Sequence, residues 1–313
     1  MIGNGRSGWG RQEVKALSMD LKGLETFIWV ARLGGFRSAA ERLNTTQPAI
    51  SARIAQLEDE LGQRLFDRDN RRSSLTAKGL EALEYAEKMI ALRNEMVQAV
   101  AEKTAYRGVV RLGVAETIVH TWLTRLVERL HYLYPSVSLE IEVDTSVNLR
   151  NRLVAHELEV AFLLGPVSVP SVKNLPLCSY PLVWVASPQL PLDWDKPASL
   201  ETLARWPIIT FARTTKPHIA IREMFASAQC APPRIFGNSS LSTVIRMTLD
   251  GIGIASIPPV VITRELAEGR LRIVPAEREL DQLVFTASYP SSPDSHLAEV
   301  IANLAREISA DDR

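Results

Sequence analysis

Gln47-Pro48-Ala49-Ile50-Ser51-Ala52-Arg53-Ile54-Ala55-Gln56-Leu57-Glu58-Asp59-Glu60-Leu61 is the stretch whose reading decides the fold of the amino-terminal part. Ile50, Ile54, Leu57 and Leu61 recur at spacings of four, three and four, which gathers them on one buried face of a helix. Pro48 suits its first turn, where no backbone N–H is needed. The remaining surface carries Gln47, Ser51 and Arg53. Small residues such as Ala49, Ser51 and Ala52 let the backbone come close to another molecule, while Gln and Arg supply paired donors of the kind that read base edges.

Working outward, Asn44, Thr45 and Thr46 break the chain ahead of this helix. Before them, residues 39–43 make a short helix with Ser38 as its cap and Glu41 as the reciprocal partner. A further helix upstream, with Leu21, Leu24, Phe27, Ile28, Val30 and Ala31 on its apolar face, closes at Gly34 and Gly35. Two short helices joined by a turn of three or four residues form a helix-turn-helix, whose second helix fits a major groove. Beyond Gly62, residues 65–72 read as a short hairpin, a wing whose Arg68, Arg71 and Arg72 reach toward the flanking backbone or the minor groove. Residues 37–78 hold eight cations and six anions, so geometry rather than net charge carries this reading.

Over some sixty positions the sequence resembles the LysR-type transcriptional regulators. The match runs through Phe27, Ser38, Ala39, Ala40, Leu43, Gln47-Pro48-Ala49-Ile50-Ser51, Ile54, Leu57-Glu58, Leu61-Gly62, Leu65-Phe66, Arg68, Leu75-Thr76 and Gly79. It departs at Ala52, where the family often carries Arg; here Arg53 follows, turned about 100° round the helix. The resemblance implies a winged helix-turn-helix that binds double-stranded promoter DNA. The expected contacts are Arg37, Ser38, Thr46, Gln47, Pro48, Ser51, Arg53, Arg68, Arg71 and Arg72. RNA polymerase is a further candidate partner.

Residues 76–103 contain no Pro and only Gly79, so one helix of roughly 40 Å is expected there. Ala82, Tyr85, Met89, Leu92, Met96 and Ala99 follow the alternation of a heptad seam, and Leu83, Ala86, Ile90, Val97 and Val100 form a second apolar stripe. One stripe packs on the first helix; the other, with Tyr85, Met89, Leu92 and Met96, awaits a second copy. A homodimer or homotetramer follows, with DNA half-sites to match.

After residue 108 short β-rich runs at 109–114, 139–143 and 160–164 alternate with amphipathic helical stretches, the mark of an α/β unit with a largely parallel sheet. The resemblance implies a two-lobed α/β effector-binding domain similar to periplasmic solute-binding proteins. The expected organisation is an extension over 1–19, a winged helix-turn-helix over 20–75 with the helix-turn-helix itself at 36–55, a linker helix over 76–104, and an effector domain over 105–313. Its first lobe takes in about 108–166 and 273–313 and its second about 167–272, where prolines thicken from Pro166 onward. Ligands in open α/β sheets bind beyond the carboxyl ends of strands, against helix N-termini. Three such places stand out: Ala115-Glu116-Thr117, Thr214-Thr215, and Ser239-Ser240. Their hydroxyls and N–H groups suit a small carboxylate-bearing effector, whereas Glu116 counts against an anion or suits an amine.

Composition narrows the classes further. The 313 residues give a prior of about two domains. Thirty-six basic and thirty-six acidic residues leave no net charge to coat a polyanion. Residues 1–19 carry Arg6, Arg11 and Lys15 without an apolar core, so they are no signal peptide; they read as a flexible extension or as a run ahead of a start at Met19. No run of about 18 apolar residues spans a membrane, and Cys178 and Cys230 match no metal spacing, so a cytoplasmic protein with no metal or cofactor is expected. The five histidines pair at no ligand spacing, Gly251-Ile252-Gly253 is a helix stop, and Walker A, His-Glu-x-x-His and Gly-x-Ser-x-Gly are missing. A non-enzymatic regulator is therefore the leading reading. The alternatives are a helix-turn-helix acting through protein contacts, or a solute-binding or enzymatic α/β domain with an accessory helical domain.

Overall fold

The computed structural model describes residues 19–67, 74–100, 107–228, 231–292 and 295–310, the side chains of 97–99 excepted. The chain forms two compact units divided after Val100. The first opens with α1 (Leu21–Leu33), capped by Asp20, whose carboxylate accepts from the Lys22 N–H, and stopped by Gly34 in the left-handed region at φ 65°. Then come α2 (Phe36–Arg42) and α3 (Gln47–Leu61). Thr46 caps α3 by accepting from the Ala49 N–H, and Gly62 ends it at φ 63°. Leu24, Phe27, Ile28, Ala39, Ala40, Ile50, Ile54 and Leu57 form one core, closed by Leu65 and Phe66. The Phe66 ring meets Phe27 and Phe36 edge-on, at 5.5 Å each. That contact accounts for a correction: α2 starts at Phe36 from an extended Gly35, so Ser38 is its third residue and does not cap it. Met19, assigned from sequence to the extension, packs against this core; residues 1–18 lie outside the described residues.

α4 (Ala77–Val100) is one uninterrupted helix. Ala86 and Ile90 are buried in the core, and ion pairs Arg32–Glu87 at 2.8 Å and Arg93–Glu25 at 3.3 Å tie α4 to α1. The Tyr85, Met89, Leu92 and Met96 stripe stays exposed, at 43–67%.

The second unit holds two five-stranded sheets. The first, in the order β2-β1-β3-β10-β4, is built from β1 (Gly108–Val114), β2 (Val137–Val143), β3 (Val160–Leu164), β4 (Val172–Tyr180) and, from the far end of the chain, β10 (Leu283–Pro290). α5 (Glu116–Val119) and α6 (Leu123–Leu133) follow β1, and α7 (Ser146–Val154) follows β2. α12 (His296–Ala310) closes the lobe against β4, β10 and α6. The second sheet, in the order β7-β6-β8-β5-β9, comprises β5 (Val183–Ala186), β6 (Ile208–Phe211), β7 (Ile235–Asn238), β8 (Ile254–Ile257) and β9 (Arg272–Ile273). Its helices are α8 (Leu200–Ala204), α9 (Lys216–Ser227), α10 (Leu241–Leu249) and α11 (Thr263–Ala267). The β6–β8 layer is held internally by a buried Thr210–Ser256 hydroxyl pair at 2.7 Å.

Two expectations change here. The sheets are mixed rather than largely parallel: β1, β2 and β3 run parallel, but β10 returns antiparallel between β3 and β4. The lobe boundaries also move. β4 belongs to the first sheet, so the chain crosses at Pro181 and Leu182 rather than near Pro166. On the way back β9 still pairs with β5, so the return falls between Ile273 and Leu283. The proline-rich stretch misleads because its prolines sit in loops and on an edge strand: Pro176 lies within β4, an edge position that tolerates a missing N–H. β4 and β10 stay paired to the ends from which the chain leaves and re-enters this sheet, Leu283 facing Tyr180.

Candidate nucleic-acid interface and ligand cleft

In the first unit, burial of Ile50, Ile54 and Leu57 turns the opposite side of α3 outward, and Gln47, Pro48, Ser51, Ala52, Ala55 and Gln56 are exposed. The face is rich in small side chains, Ser51, Ala52 and Ala55, while Gln56 lies half a turn round the helix from Gln47 and donates to Glu60 at 3.1 Å. Arg53 is half-buried on the flank, 100° from Ala52, rather than at the centre of the face. Arg37 and Ser38 are exposed on α2, and Arg37 pairs with Glu41 at 3.1 Å. Thr46 is exposed and serves as the α3 cap.

The hairpin expected after Gly62 has its stem in place. The Asp67 N–H donates to the Ser74 carbonyl at 2.9 Å, and that of Thr76 to Leu65 at 3.0 Å. Arg68, Arg71 and Arg72 lie outside the described residues. Glu58, to which the sequence reading gives no role beyond its place in the family match and the charge count, holds this stem in place. Its carboxylate accepts from the N–H groups of Leu65 and Phe66, at 2.7 and 3.2 Å, and so fastens the stem to α3.

In the second unit, the carboxyl ends of β1, β2, β6 and β7 converge on one cleft between the sheets. It is lined by Ala115, Glu116 and Thr117 after β1, by Thr215 after β6, and by Ser239 after β7. Sequence reasoning missed Asp144, Thr145 and Ser146 after β2, and Phe211 and Asn238. The Asp-Thr-Ser run preceding a helix is itself a cap signal, and Thr145 does cap α7. Thr214 is exposed and does not line the cleft. The Thr215 hydroxyl donates to the Ala212 carbonyl at 2.7 Å, so its lone pairs rather than its proton face other partners.

Glu116 bridges the two lobes across the cleft. It reaches from the first lobe to the start of α10, where its carboxylate accepts from the N–H of Leu241 and of Ser242, at 2.5 and 3.1 Å. The hydroxyls of Ser242 and Ser240 donate to it at 3.1 and 3.4 Å. Ser240 meanwhile caps α10 by accepting from the Thr243 N–H. Every free N–H of the first turn is thus used, and the helix dipole adds to the attraction. The space beside Glu116 is about 50 Å³, room for a few water molecules, and a cavity of about 610 Å³ adjoins it through Leu164, Pro217 and Leu283. Among the described residues no group of His, Cys, Asp and Glu is placed to hold a metal, and no helix is long and apolar enough to cross a membrane.

Comparison with known proteins places this geometry. The model of the bacterial regulatory helix-turn-helix protein, lysR family, matches residues 21–80, and that of the LysR substrate binding domain matches residues 103–309. The chain is 28% identical over 265 residues to the uncharacterized HTH-type transcriptional regulator YusT of Bacillus subtilis, covering 85% of this chain and 88% of that one. It is 27% identical over 254 residues to the HTH-type transcriptional regulator GltR of the same organism, covering 81% and 84%. The structure of full-length LysG from Corynebacterium glutamicum with bound effector Arg has the same fold, with a TM-score of 0.61 at 16% identity over 94% of this chain and 99% of that one.

Proposed function

The chain belongs to the LysR family of DNA-binding transcription regulators, and from that premise we propose how its parts divide the work. α3 enters the major groove, Gln47 and Ser51 contact base edges, Pro48 and the small residues set the approach, and Arg37, Ser38, Thr46 and Arg53 bear on the flanking backbone. Arg68, Arg71 and Arg72 supply the wing's phosphate contacts. The exposure of Gln47, Ser51 and Ala52 on α3 while Ile50, Ile54 and Leu57 are buried is the observation that carries this reading.

The uncovered Tyr85, Met89, Leu92 and Met96 stripe of α4 pairs with that of a second copy, giving a homodimer that can pair again into a tetramer. A small effector bearing a carboxylate enters the cleft lined by residues 115–117, Thr215 and Ser239; Ser240, at the α10 cap, and Thr214 do not line it. It controls the regulator by binding two arrangements of the protein with different affinity, since equal affinity shifts nothing. The protein works in the cytoplasm, at promoters, upstream of RNA polymerase. The bound arginine of LysG supports an effector of amino-acid size and chemistry.

The test is a fluorescence-anisotropy titration against random and promoter-derived duplexes at several salt concentrations. Gln47→Ala should flatten the ranking among duplexes with little change in salt slope. Arg71→Ala should weaken all duplexes alike and reduce the slope by about one. Equal behaviour of the two variants rejects the assignment of roles, and a folded protein that ranks no duplex above another rejects the reading as a whole.

A further inference from the structure

We propose that Glu116 is an internal ligand: a built-in carboxylate that holds the cleft shut by occupying the donor cradle at the start of α10, and that an entering effector must displace with a carboxylate of its own. The proposal rests on the reading that the cleft takes an effector, and adds the chemistry of entry.

Four hydrogen bonds reach the Glu116 carboxylate, two from backbone N–H groups and two from hydroxyls, and all come from the opposite lobe. The partners are 124–126 residues apart in the chain, so this is no local helix cap. α10 has its own cap in Ser240, which serves Thr243 and leaves the Leu241 and Ser242 N–H groups for Glu116. His120 is 3.7 Å from the same carboxylate and 3.4 Å from the Ser242 hydroxyl, on the solvent side of the contact. The space directly beside Glu116 is about 50 Å³. A cavity of about 610 Å³ adjoins it through Leu164, Pro217 and Leu283, so a ligand held there alone can leave Glu116 in place, whereas one that reaches the start of α10 must separate these groups. Once separated, two N–H groups at a helix N-terminus and two hydroxyls lose their shared acceptor and are left to water. A carboxylate satisfies them as a set, whereas an ammonium or an apolar group leaves them bare.

Exchange of one carboxylate for another conserves these hydrogen bonds, so the effector's remaining contacts decide whether it wins. It competes against a tethered group whose effective concentration is of millimolar order or higher. A simple monocarboxylate with no further contacts should therefore lose to Glu116, and should bind once Glu116 is gone.

The experiment follows hydrogen–deuterium exchange of the α10 segment in the full-length chain, with acetate as probe and chloride at equal ionic strength as control. In the unaltered protein acetate should change nothing. Glu116→Ala should speed exchange at the first turn of α10 at least about tenfold, and acetate, but not chloride, should restore protection in a saturable manner. Glu116→Gln, which keeps the shape and removes the charge, should show faster exchange with no acetate rescue, and it serves if the alanine variant does not fold. Unchanged exchange in both variants overturns the latch. Absence of acetate rescue in a folded Glu116→Ala protein, or an equal acetate response in the unaltered protein, overturns the displacement. No native effector is needed, so a failed latch leaves the DNA-binding and effector readings standing, and a failed effector search leaves the latch standing.

Discussion

Gly79 and Gly23 are both the third residue of their helices, α4 and α1, yet alanine at the two should act with opposite sign. A Cβ at Gly79 would lie 2.1 Å from the carbonyl oxygen of Leu65 and 3.0 Å from Leu75 Cδ2, whereas one at Gly23 meets nothing within 4 Å. To reach ordinary contact distance the wing stem must retreat from α4 by more than about 1 Å. That retreat strains the Thr76 N–H bond to Leu65 and the Thr76 hydroxyl bond to Arg64. Overpacking costs about 1–3 kcal/mol and each lost hydrogen bond about 1, against a helix-propensity gain of about 1 for Gly→Ala. The net for Gly79→Ala is a loss of about 2–4 kcal/mol; Gly23→Ala should gain roughly 0.5 kcal/mol. Because the chain has two units, a single melting midpoint would mix them. Hydrogen exchange read on peptides from α1, α3 and α4 isolates the first, where about 2 kcal/mol is some thirty-fold in exchange rate. A Gly79→Ala protein as protected as Gly23→Ala would refute the claim that the stem and α4 touch backbone to backbone.

Four other outcomes are expected. Glu58→Leu leaves the Leu65 and Phe66 N–H groups without their acceptor and should cost about 2 kcal/mol, with DNA affinity falling for all duplexes alike in anisotropy titrations; a fall confined to some duplexes would count against it. Thr210→Val and Ser256→Ala should each destabilise by about 1–3 kcal/mol in urea unfolding, while the double variant costs less than their sum, because the buried hydroxyl pair disappears together. Leu92→Asp should raise the dissociation constant between copies in sedimentation equilibrium while far-ultraviolet circular dichroism stays unchanged, since Leu92 is 67% exposed. Burial, and then Glu299, which accepts the Tyr289 hydroxyl proton, hold the Tyr289 pKa well above the usual tyrosine range. Its folded value exceeds its unfolded value of about 10, so its contribution is whole below that pH and is lost as pH rises beyond it. Tyr289→Phe should remove that part of the alkaline stability loss in pH-dependent urea unfolding.

The first unit was legible in sequence because its signals are local. The Ile50, Ile54, Leu57 period and the stops at Gly34 and Gly62 reappear as the buried face and left-handed caps of α1 and α3. Ser38 misled for a tertiary reason: the Phe36 ring, drawn against Phe66, starts α2 before the serine. In the second unit the strands after residue 108 and the helix starts near Thr215 and Ser240 were readable, since caps and β-rich runs are local too. Which sheet β4 joins depends on β10, more than a hundred residues later, and no pattern within β4 announces it. Glu116 was visible as a charge near the cleft, but its reach to Leu241 and Ser242 depends on how the two lobes face each other. The role of Glu58 was equally out of reach, because the N–H groups it serves appear only once the chain has turned after α3.

The pairing of Leu283 with Tyr180 has a mechanical consequence. Strands zipped together up to the point where they leave one sheet for the other behave as the spine of a book. Their hydrogen bonds resist shear and twist, leaving the covers one easy rotation. Work done at any part of the outer edge is then delivered to the same angle, so contacts made by chemically unrelated molecules sum along a single coordinate.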